Sequence, residues 1–352
     1  MPRNLFSVDP EPPHGEIPGV GVLLIQLGTP EAPTPKALRR YLKQFLWDPR
    51  VIELPRLRWW LILHLFILTT RPRASARLYR NIWTAEGSPL LATSRRIAAA
   101  LGEILGRELA PTVRVALGMT YGEPSIPAAL AELKAAPCRR LLVLPLFSHY
   151  SSSSTGAAFD AVMRELMTWR WVPEVRTVHQ FHDEPALIRA LAAAVREHWR
   201  DHGEAEKLVT SYHGTPKRSL LNGDPYHRQC RETSRLLAAE LGLPEERWVL
   251  TFQSRFGREE WLEPSTDATL EALGRAGTRS VDVLCPGFRI DCLETLDEID
   301  RESRQVFLAA GGERFHYIPC LNDRPEQIAL LADLARRNLG GWTVPRAEWN
   351  RG

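Results

Sequence analysis

The chain has 352 residues, of which 44% are apolar, and its 45 basic and 42 acidic residues leave a formal net charge of +3. This length and apolar content suit two globular domains with separate cores. The near balance of charge along the chain gives no sign of a nucleic-acid groove, so we expect no nucleic-acid partner. Five cysteines without a CxxC pair indicate neither a disulfide framework nor a zinc knuckle, and favour a reducing, cytoplasmic compartment.

Two segments near the N-terminus bear on localisation. Residues 1–18 contain five prolines and no apolar run of signal-peptide length, which predicts a disordered N-terminal extension. The longest apolar stretch, residues 59–68 (WWLILHLFIL), is too short for a transmembrane helix, which needs roughly 20 residues. Because arginines flank it, the stretch is typical of a helix in a membrane interface, and equally of a buried helix bounded by surface arginines. We therefore expect peripheral membrane contact at most.

Short β-rich runs alternate with longer segments of helical periodicity along the chain. The predicted strands are residues 22–27, 113–117, 141–147 and 175–181, followed by residues 208–212, 249–252, 281–285 and 315–318. Eight strands with intervening helices predict parallel sheets. A single eight-stranded barrel is the alternative, but the uneven spacing, with about 85 residues between the first two strands, fits two open sheets better.

The fold class is therefore predicted as α/β, with two Rossmann-like domains that each contain a four-stranded parallel sheet flanked by helices. We place the N-terminal domain, with the apolar stretch, at residues 19–175 and the C-terminal domain at residues 176–322. Residues 323–352 would form a C-terminal helix that packs back on the domains. The turns after the first two strands are not GxGxxG, and a P-loop is absent, which weakens any nucleotide-binding interpretation of this fold.

In open parallel sheets, ligands bind beyond the carboxyl ends of the strands, so the residues at those ends are the first candidates for a site. The third strand ends at Phe147 and leads through Tyr150 into a serine-rich loop, residues 151–156. The hydroxyls of this loop and the following helix N-terminus suit carboxylate or phosphate binding, although an ordinary capping loop has the same composition.

The fifth strand delivers His213 onto the turn Gly214-Thr215-Pro216. A histidine fixed at a strand end is suited to take or release protons, although a buried corner histidine gives the same pattern. After the seventh strand, a predicted helix that begins near Asp291 carries three glutamates four residues apart, Glu294, Glu298 and Glu302, on one face. A solvated helix face is the common explanation, but Glu294 stands close enough to the strand end to face the predicted cleft.

These blocks together resemble the ferrochelatase family. Residues 208–216 (LVTSYHGTP) with residues 222–226 (NGDPY) are similar to the signature around that family's catalytic histidine. Further similar blocks follow the family order over about residues 20–325: LGTP at 27–30, YLKQFL at 41–46, GSPL at 87–90, FQSRFG at 252–257, CPGF at 285–288 and DCLETL at 291–296.

The resemblance implies insertion of Fe²⁺ into protoporphyrin IX, with loss of two protons, in a cleft between the two domains. It implies that His213 removes protons and contacts the metal, that Glu294 faces it as metal ligand or proton acceptor, and that Glu298 and Glu302 relay protons outward. Four residues match family positions that line the macrocycle, namely Leu27, Tyr121, Phe147 and Tyr150. Residues 59–68 match the apolar lip through which a membrane-borne porphyrin enters.

The departures from the family pattern also carry predictions. Thr215 stands where the signature prefers a branched aliphatic residue, which is a small change. Some family members hold a 2Fe-2S cluster on C-terminal cysteines and one cysteine in the serine loop. Here no cysteine follows Asn322, and Ser152 occupies the loop position, so we expect no cluster, no permanently bound cofactor and a monomer.

Two other functions stay open. One is a related tetrapyrrole chelatase that acts on coproporphyrin or inserts cobalt, for which a basic, open access would suit better than an apolar lip. The other is a non-enzymatic haem or porphyrin carrier, which has no use for a base opposite an acid.

Overall fold

A computed structural model describes Phe6, residues 19–257 and residues 259–349. Apart from Phe6, the predicted N-terminal extension lies outside the described residues. All eight predicted strands are present, with every end within four residues of the expected one. The described residues form ten strands: β1 (Gly19–Gly28), β2 (Leu109–Ala110), β3 (Val113–Tyr121), β4 (Cys138–Pro145), β5 (Glu174–Thr177), β6 (Lys207–His213), β7 (Trp248–Gln253), β8 (Ser280–Leu284), β9 (Arg314–Ile318) and β10 (Val344–Pro345).

The helices occupy the connections between strands. The α-helices are α1 (Pro35–Trp47), α2 (Arg56–Ile62), α3 (Leu68–Ile82), α4 (Pro89–Glu108), α5 (Ile126–Ala135), α6 (Ala157–Leu166), α7 (Pro185–His202), α8 (Lys217–Leu221), α9 (Tyr226–Leu241), α10 (Thr266–Arg275), α11 (Arg304–Ala309), α12 (Pro325–Leu339) and α13 (Arg346–Trp349). Three segments of the part of the chain that the structure describes are π-helical: π1 (Leu63–Ile67), π2 (Ser152–Gly156) and π3 (Glu294–Ser303).

The two predicted parallel sheets are confirmed. The first has the strand order β3-β1-β4-β5 and the second the order β7-β6-β8-β9, and every neighbouring pair in both runs parallel. The central strand β1 is an almost unbroken apolar run that is buried on both faces, as expected for a parallel sheet covered by helices. The domain limits at residues 175 and 322 stay a prediction.

Proline marks the start of several long helices. Pro35, Pro89, Pro185 and Pro325 each stand in the first turn, where the missing N–H is not needed and the fixed φ favours the helix. The C-terminal helix α12 packs against α4, α7 and β4, and its apolar face joins the largest core cluster. Within the described residues, no helix is both long and apolar enough to cross a membrane.

The apolar stretch at residues 59–68 is divided between α2, π1 and the start of α3. Trp59, Leu63 and Leu68 are buried, and the Trp59 indole N–H donates to the carbonyl of Leu46 at 2.6 Å. Leu65 and Phe66 lie on the outside with 56% and 65% of their surface exposed. The stretch is therefore amphipathic, and the alternative of a buried helix bounded by surface arginines does not describe its outer face.

Candidate functional site

His213 is the last residue of β6 and lies at the carboxyl end of the second sheet, beside Gln253 of β7. Its Nδ1 lies 2.7 Å from the carbonyl oxygen of Gly214. Because a carbonyl can only accept, we assign the proton to Nδ1, which leaves Nε2 with a free lone pair. The side chain is half-buried and hence reachable from the cleft.

Gly214 is required for this corner. Its N–H donates to the carbonyl of Gln253 at 2.8 Å, and a Cβ at position 214 would lie only 2.7 Å from that same oxygen. The close approach of β6 and β7 at their ends fixes the backbone position from which the His213 side chain extends. Glycine therefore stands after His213 because a larger side chain would collide with the backbone of β7.

Glu294 and Glu298 approach the same corner from π3. The Gln253 amide donates to the backbone carbonyl of Glu294 at 2.8 Å. Ser254, the next residue, donates from its N–H and from its hydroxyl to the two oxygens of Glu298, both at 2.6 Å. The end of β7 therefore holds the first turn of π3 against the end of β6.

The pKa of Glu298 is raised above its usual value. Burial is the largest cause, and the neighbouring Glu294 carboxylate acts in the same direction. The hydrogen bonds from Ser254 and the charge of His213 oppose the shift without cancelling it. Gln253, the β7 partner of His213, bonds to the backbone of Glu294. The adjacent Ser254 bonds to the Glu298 carboxylate, so these contacts bring the three predicted residues to the same corner.

The helix that carries the glutamates departs from the expectation in two respects. It begins at Glu294 rather than near Asp291, and it is a π-helix over ten residues instead of an α-helix. The four-residue spacing of the glutamates could not reveal this, because it places side chains near one stripe at about 3.6 or about 4.4 residues per turn. π-helical segments are rare and occur often at functional sites.

Glu302 lies apart from this group. It is exposed, and its carboxylate accepts from Arg301 at 2.7 Å. Arg301 also pairs with the buried Asp297, which in turn accepts from Asn81 of α3 at 3.0 Å. The carboxylate row therefore runs from a half-buried cleft to the surface.

The first sheet contributes the opposite wall. Leu27, Tyr41, Tyr79 and Tyr121 share one apolar cluster with Leu293, the residue that precedes π3. The Tyr41 hydroxyl donates to the carbonyl of Gly28 at 3.2 Å. Its pKa is raised, chiefly by burial and next by the charge of Glu294.

Sequence reasoning did not single out Tyr41 and Tyr79. Tyr41 belongs to the block YLKQFL, which was used only as a family match, and Tyr79 stands in a helix with no recognised motif. A buried tyrosine cannot be assigned to a cleft wall before the packing of α1 and α3 is known.

The four predicted macrocycle-lining residues all stand at carboxyl ends of the first sheet, but they differ in environment. Leu27 and Phe147 are half-buried, whereas Tyr121 is only 3% exposed and donates to a carboxylate oxygen of Asp48 at 3.0 Å. Tyr150 stacks on His179 with 4.3 Å between ring centroids. Phe147 packs with a cluster other than that of Leu27 and Tyr121. Tyr121 is therefore almost fully shielded from solvent by its cluster.

The serine loop, residues 151–156, forms hydrogen bonds with a turn in the second half of the chain. The N–H of Ser152 donates to a carboxylate oxygen of Asp224 at 2.8 Å, and the same Asp224 accepts from the N–H of Tyr226 at 3.0 Å. The hydroxyl of Ser151 accepts from the N–H of Ser153. These bonds match the capping interpretation of the loop and tie it to the turn between α8 and α9.

Comparison with solved structures shows which class of proteins has this fold. The sirohydrochlorin chelatase SirB from Bacillus subtilis subspecies spizizenii, in complex with cobalt, superposes with a TM-score of 0.53 at 10% identity, covering 92% of this chain and 95% of that one. SirB from Bacillus subtilis with Fe³⁺ superposes with a TM-score of 0.52 at 14% identity, covering 72% and 93%. The chain therefore has the fold of chelatases.

Sequence comparison narrows the class. The family described as Ferrochelatase matches residues 19–339. Relatives named ferrochelatase are 55% identical in Thioalkalivibrio sulfidiphilus, over 94% of this chain and 89% of the relative, and 53% identical in Chromobacterium violaceum, over 99% and 95%. The chain belongs to the ferrochelatase family.

Proposed function

We propose that this chain inserts Fe²⁺ into protoporphyrin IX to form protohaem, the last step of haem biosynthesis, with release of two protons. Family membership supports the reaction class. The observation that carries the proposal for this chain is the convergence of a histidine, His213, with two glutamates, Glu294 and Glu298, at the carboxyl end of the second sheet.

The reaction needs a proton acceptor. Two pyrrole N–H bonds break, and Fe²⁺ forms bonds to the four nitrogens as the two protons leave. His213 suits the first acceptor role, because its Nδ1 is engaged by the Gly214 carbonyl and Nε2 keeps a lone pair. Glu298 suits the next role, because its raised pKa makes it a better proton acceptor than an exposed glutamate. Glu302, at the surface end of the row, would pass protons to water.

The metal is a substrate and must leave the protein. A nitrogen of His213 and a carboxylate oxygen of Glu294 are donor types that Fe²⁺ accepts, and two ligands hold the ion weakly enough for transfer. His213 and Glu294 would therefore be the metal-contacting pair, and Nε2 of His213 would accept a pyrrole proton once the ion has left it. Leu27, Phe147 and Tyr150 would face the macrocycle, with Tyr121 behind them.

We also propose that residues 59–68 rest on a membrane surface. The exposed Leu65 and Phe66 and the flanking arginines Arg56 and Arg71 support peripheral contact, since apolar side chains enter the interface while cations meet anionic head groups. A cytoplasmic protein that receives an apolar dicarboxylic porphyrin from a membrane would use this face. The monomeric state and the absence of a 2Fe-2S cluster stay predictions.

An anaerobic insertion assay tests the proposal. With Fe²⁺ or Zn²⁺ and protoporphyrin, the His213→Ala variant should lose insertion by at least about 100-fold, the usual loss for a missing general base, while binding porphyrin with near-normal affinity. His227→Ala, which changes another half-buried histidine next to Phe252, is the matched control and should stay active.

The same assay measures which porphyrin and which metal the protein prefers. Protoporphyrin and coproporphyrin, each offered with Fe²⁺ and with Co²⁺, should show a preference for protoporphyrin and iron. Faster turnover of coproporphyrin or cobalt would assign the related chelatase activity instead. Porphyrin binding without turnover in the wild-type protein would identify a carrier.

A further inference from the structure

A second group of metal-ligand side chains lies away from the cleft. Asp282 stands in the middle of β8 and pairs with Leu208 of β6, five residues before His213. At about 3.3 Å per residue, this is about 16 Å along the strand from the catalytic corner. His316 is the β9 partner of Asp282, and His198 approaches from α7.

Asp282 is a fully buried carboxylate with one oxygen left over. Its Oδ2 accepts from the indole N–H of Trp199 at 2.7 Å and from the N–H of Ala205 at 3.3 Å. Its Oδ1 has no hydrogen-bond partner among the described residues and lies 3.5 Å from Nε2 of His198 and 3.4 Å from Nδ1 of His316. Both of these nitrogens also lack a hydrogen-bond partner there.

A third histidine, His202, lies beside this group. His202 follows His198 by one helical turn at the end of α7, the spacing that puts two side chains on one helix face. The ring centroids of His198, His202 and His316 are 4.6, 5.0 and 5.2 Å apart in the three pairs. His202 is exposed, so solvent reaches the group from this side.

Hydrogen bonding alone explains this arrangement poorly. A nitrogen donor normally lies 2.7–3.2 Å from its acceptor oxygen, roughly, and here both distances are longer. A buried carboxylate oxygen without a partner is costly, and two unsatisfied imidazole nitrogens beside it add to the cost.

A bound cation accounts for the distances. Ligands about 2.0–2.2 Å from a tetrahedral zinc ion lie about 3.3–3.5 Å from one another, and imidazole rings on such an ion have centroids about 5 Å apart. The observed separations of the Asp282 oxygen from the two imidazole nitrogens, and of the three rings, fall close to these values. The hydrogen bonds from Trp199 and Ala205 to the second oxygen would orient the carboxylate, as outer partners of metal ligands do.

We propose that His198, His202, Asp282 and His316 bind a divalent transition-metal ion of the Zn²⁺ type, as a second metal site separate from the cleft. The ion joins α7 to β8 and β9 and supplies the positive charge that the buried Asp282 lacks. Three imidazoles and one carboxylate fill four positions, which is the ligand number of a structural site and leaves none for a reacting molecule.

The test distinguishes this site from the cleft by first removing the two metal-contacting side chains of the cleft. The double variant His213→Ala/Glu294→Gln, stripped of metal with a chelator, is titrated with Zn²⁺ by calorimetry. We expect it to retain one Zn²⁺ equivalent. Adding His198→Ala should weaken that binding by at least tenfold, and adding His202→Ala should weaken it measurably. His227→Ala, added in the same background, is the control and should leave the binding unchanged.

Further measurements distinguish a lost metal ligand from a misfolded variant. His202 is exposed at a helix end, so His202→Ala should keep the metal-free melting temperature and the insertion activity of the wild-type chain. Co²⁺ in the double variant should give the intense visible absorption of a four-coordinate ion. The proposal is overturned by a double variant that retains no Zn²⁺, by equal Zn²⁺ affinity with and without His198, or by the weak spectrum of six-coordinate Co²⁺.

Discussion

Ser254 donates two hydrogen bonds to one carboxylate, that of Glu298, from its backbone N–H and its hydroxyl. The residue adopts a φ of 64°, in the left-handed region that non-glycine residues rarely occupy. Hydrogen bonds to an ionised acceptor are stronger than neutral ones and offset the backbone strain. The end of β7 is thus bent so that it fixes the second glutamate of π3.

Ser254→Ala should move the acid side of the pH–activity profile to higher pH. Burial raises the pKa of Glu298, the Ser254 hydroxyl counteracts this, and its removal lets the pKa rise further. If the ionised carboxylate accepts the proton, insertion falls as the pH falls through that pKa. The profile of kcat/KM, measured with Zn²⁺ as metal, checks this, and Ser265→Ala, which changes the half-buried N-cap of α10, is the control. An unmoved acid limb contradicts the role of Glu298.

Glu294→Gln should reduce insertion about 100-fold or more, because the amide keeps the shape of the side chain but provides neither a charge for Fe²⁺ nor a proton acceptor. Glu302→Gln is the matched control, because it makes the same substitution eight residues further along π3. Since Glu302 is exposed and paired with Arg301, water can replace it, and its variant should keep most of the activity. Steady-state rates at saturating porphyrin compare the two. Equal losses would show that charge along the whole row, rather than position, matters.

Gly28→Ala should destabilise the fold by about 2–4 kcal/mol, as strained backbone combined with a core clash does. Gly28 has a φ of 120°, and a Cβ there would lie 1.7 Å from the carbonyl oxygen of Tyr121. Gly102→Ala is the control, because that glycine lies inside α4 and its Cβ would meet Val115 at ordinary distances from 3.6 Å. We expect the control to be neutral or stabilising by up to about 1 kcal/mol. Urea unfolding measures both, and similar midpoints would contradict the close approach of β1 and β3.

Phe66→Glu should lower binding to vesicles with anionic lipids by about tenfold, because a buried Phe contributes about 1.5–3 kcal/mol and a carboxylate is repelled by the surface. Met167→Glu adds the same charge at another exposed apolar residue, 76% accessible, after α6. Co-sedimentation over a range of vesicle concentrations compares the two variants with the wild-type chain. If Met167→Glu reduces binding equally, net charge rather than the apolar lip accounts for the attachment.

Much of the fold could be predicted because its determinants are local. Short β-rich runs of four to seven residues predicted the eight strands, and helical periodicity located helices such as α12 (Pro325–Leu339), which lies within the C-terminal helical segment predicted at residues 323–352. Even His213 was placed correctly at a strand end, since the residue order alone puts it at the carboxyl end of β6. The family resemblance rested on the same contiguous blocks.

Tertiary structure decided what depends on residues distant in sequence. The spacing of three glutamates did not distinguish an α-helix from π3, and nothing near Ser254 indicated that it would bind Glu298, 44 residues later. Tyr41 and Tyr79 became part of the cleft wall only when α1 and α3 packed beside Leu293. His198, Asp282 and His316 span 118 positions, and each alone looks like an ordinary surface or core residue. Local sequence fixes which strand or helix a residue joins, whereas the long-range packing of these elements decides which side chains meet.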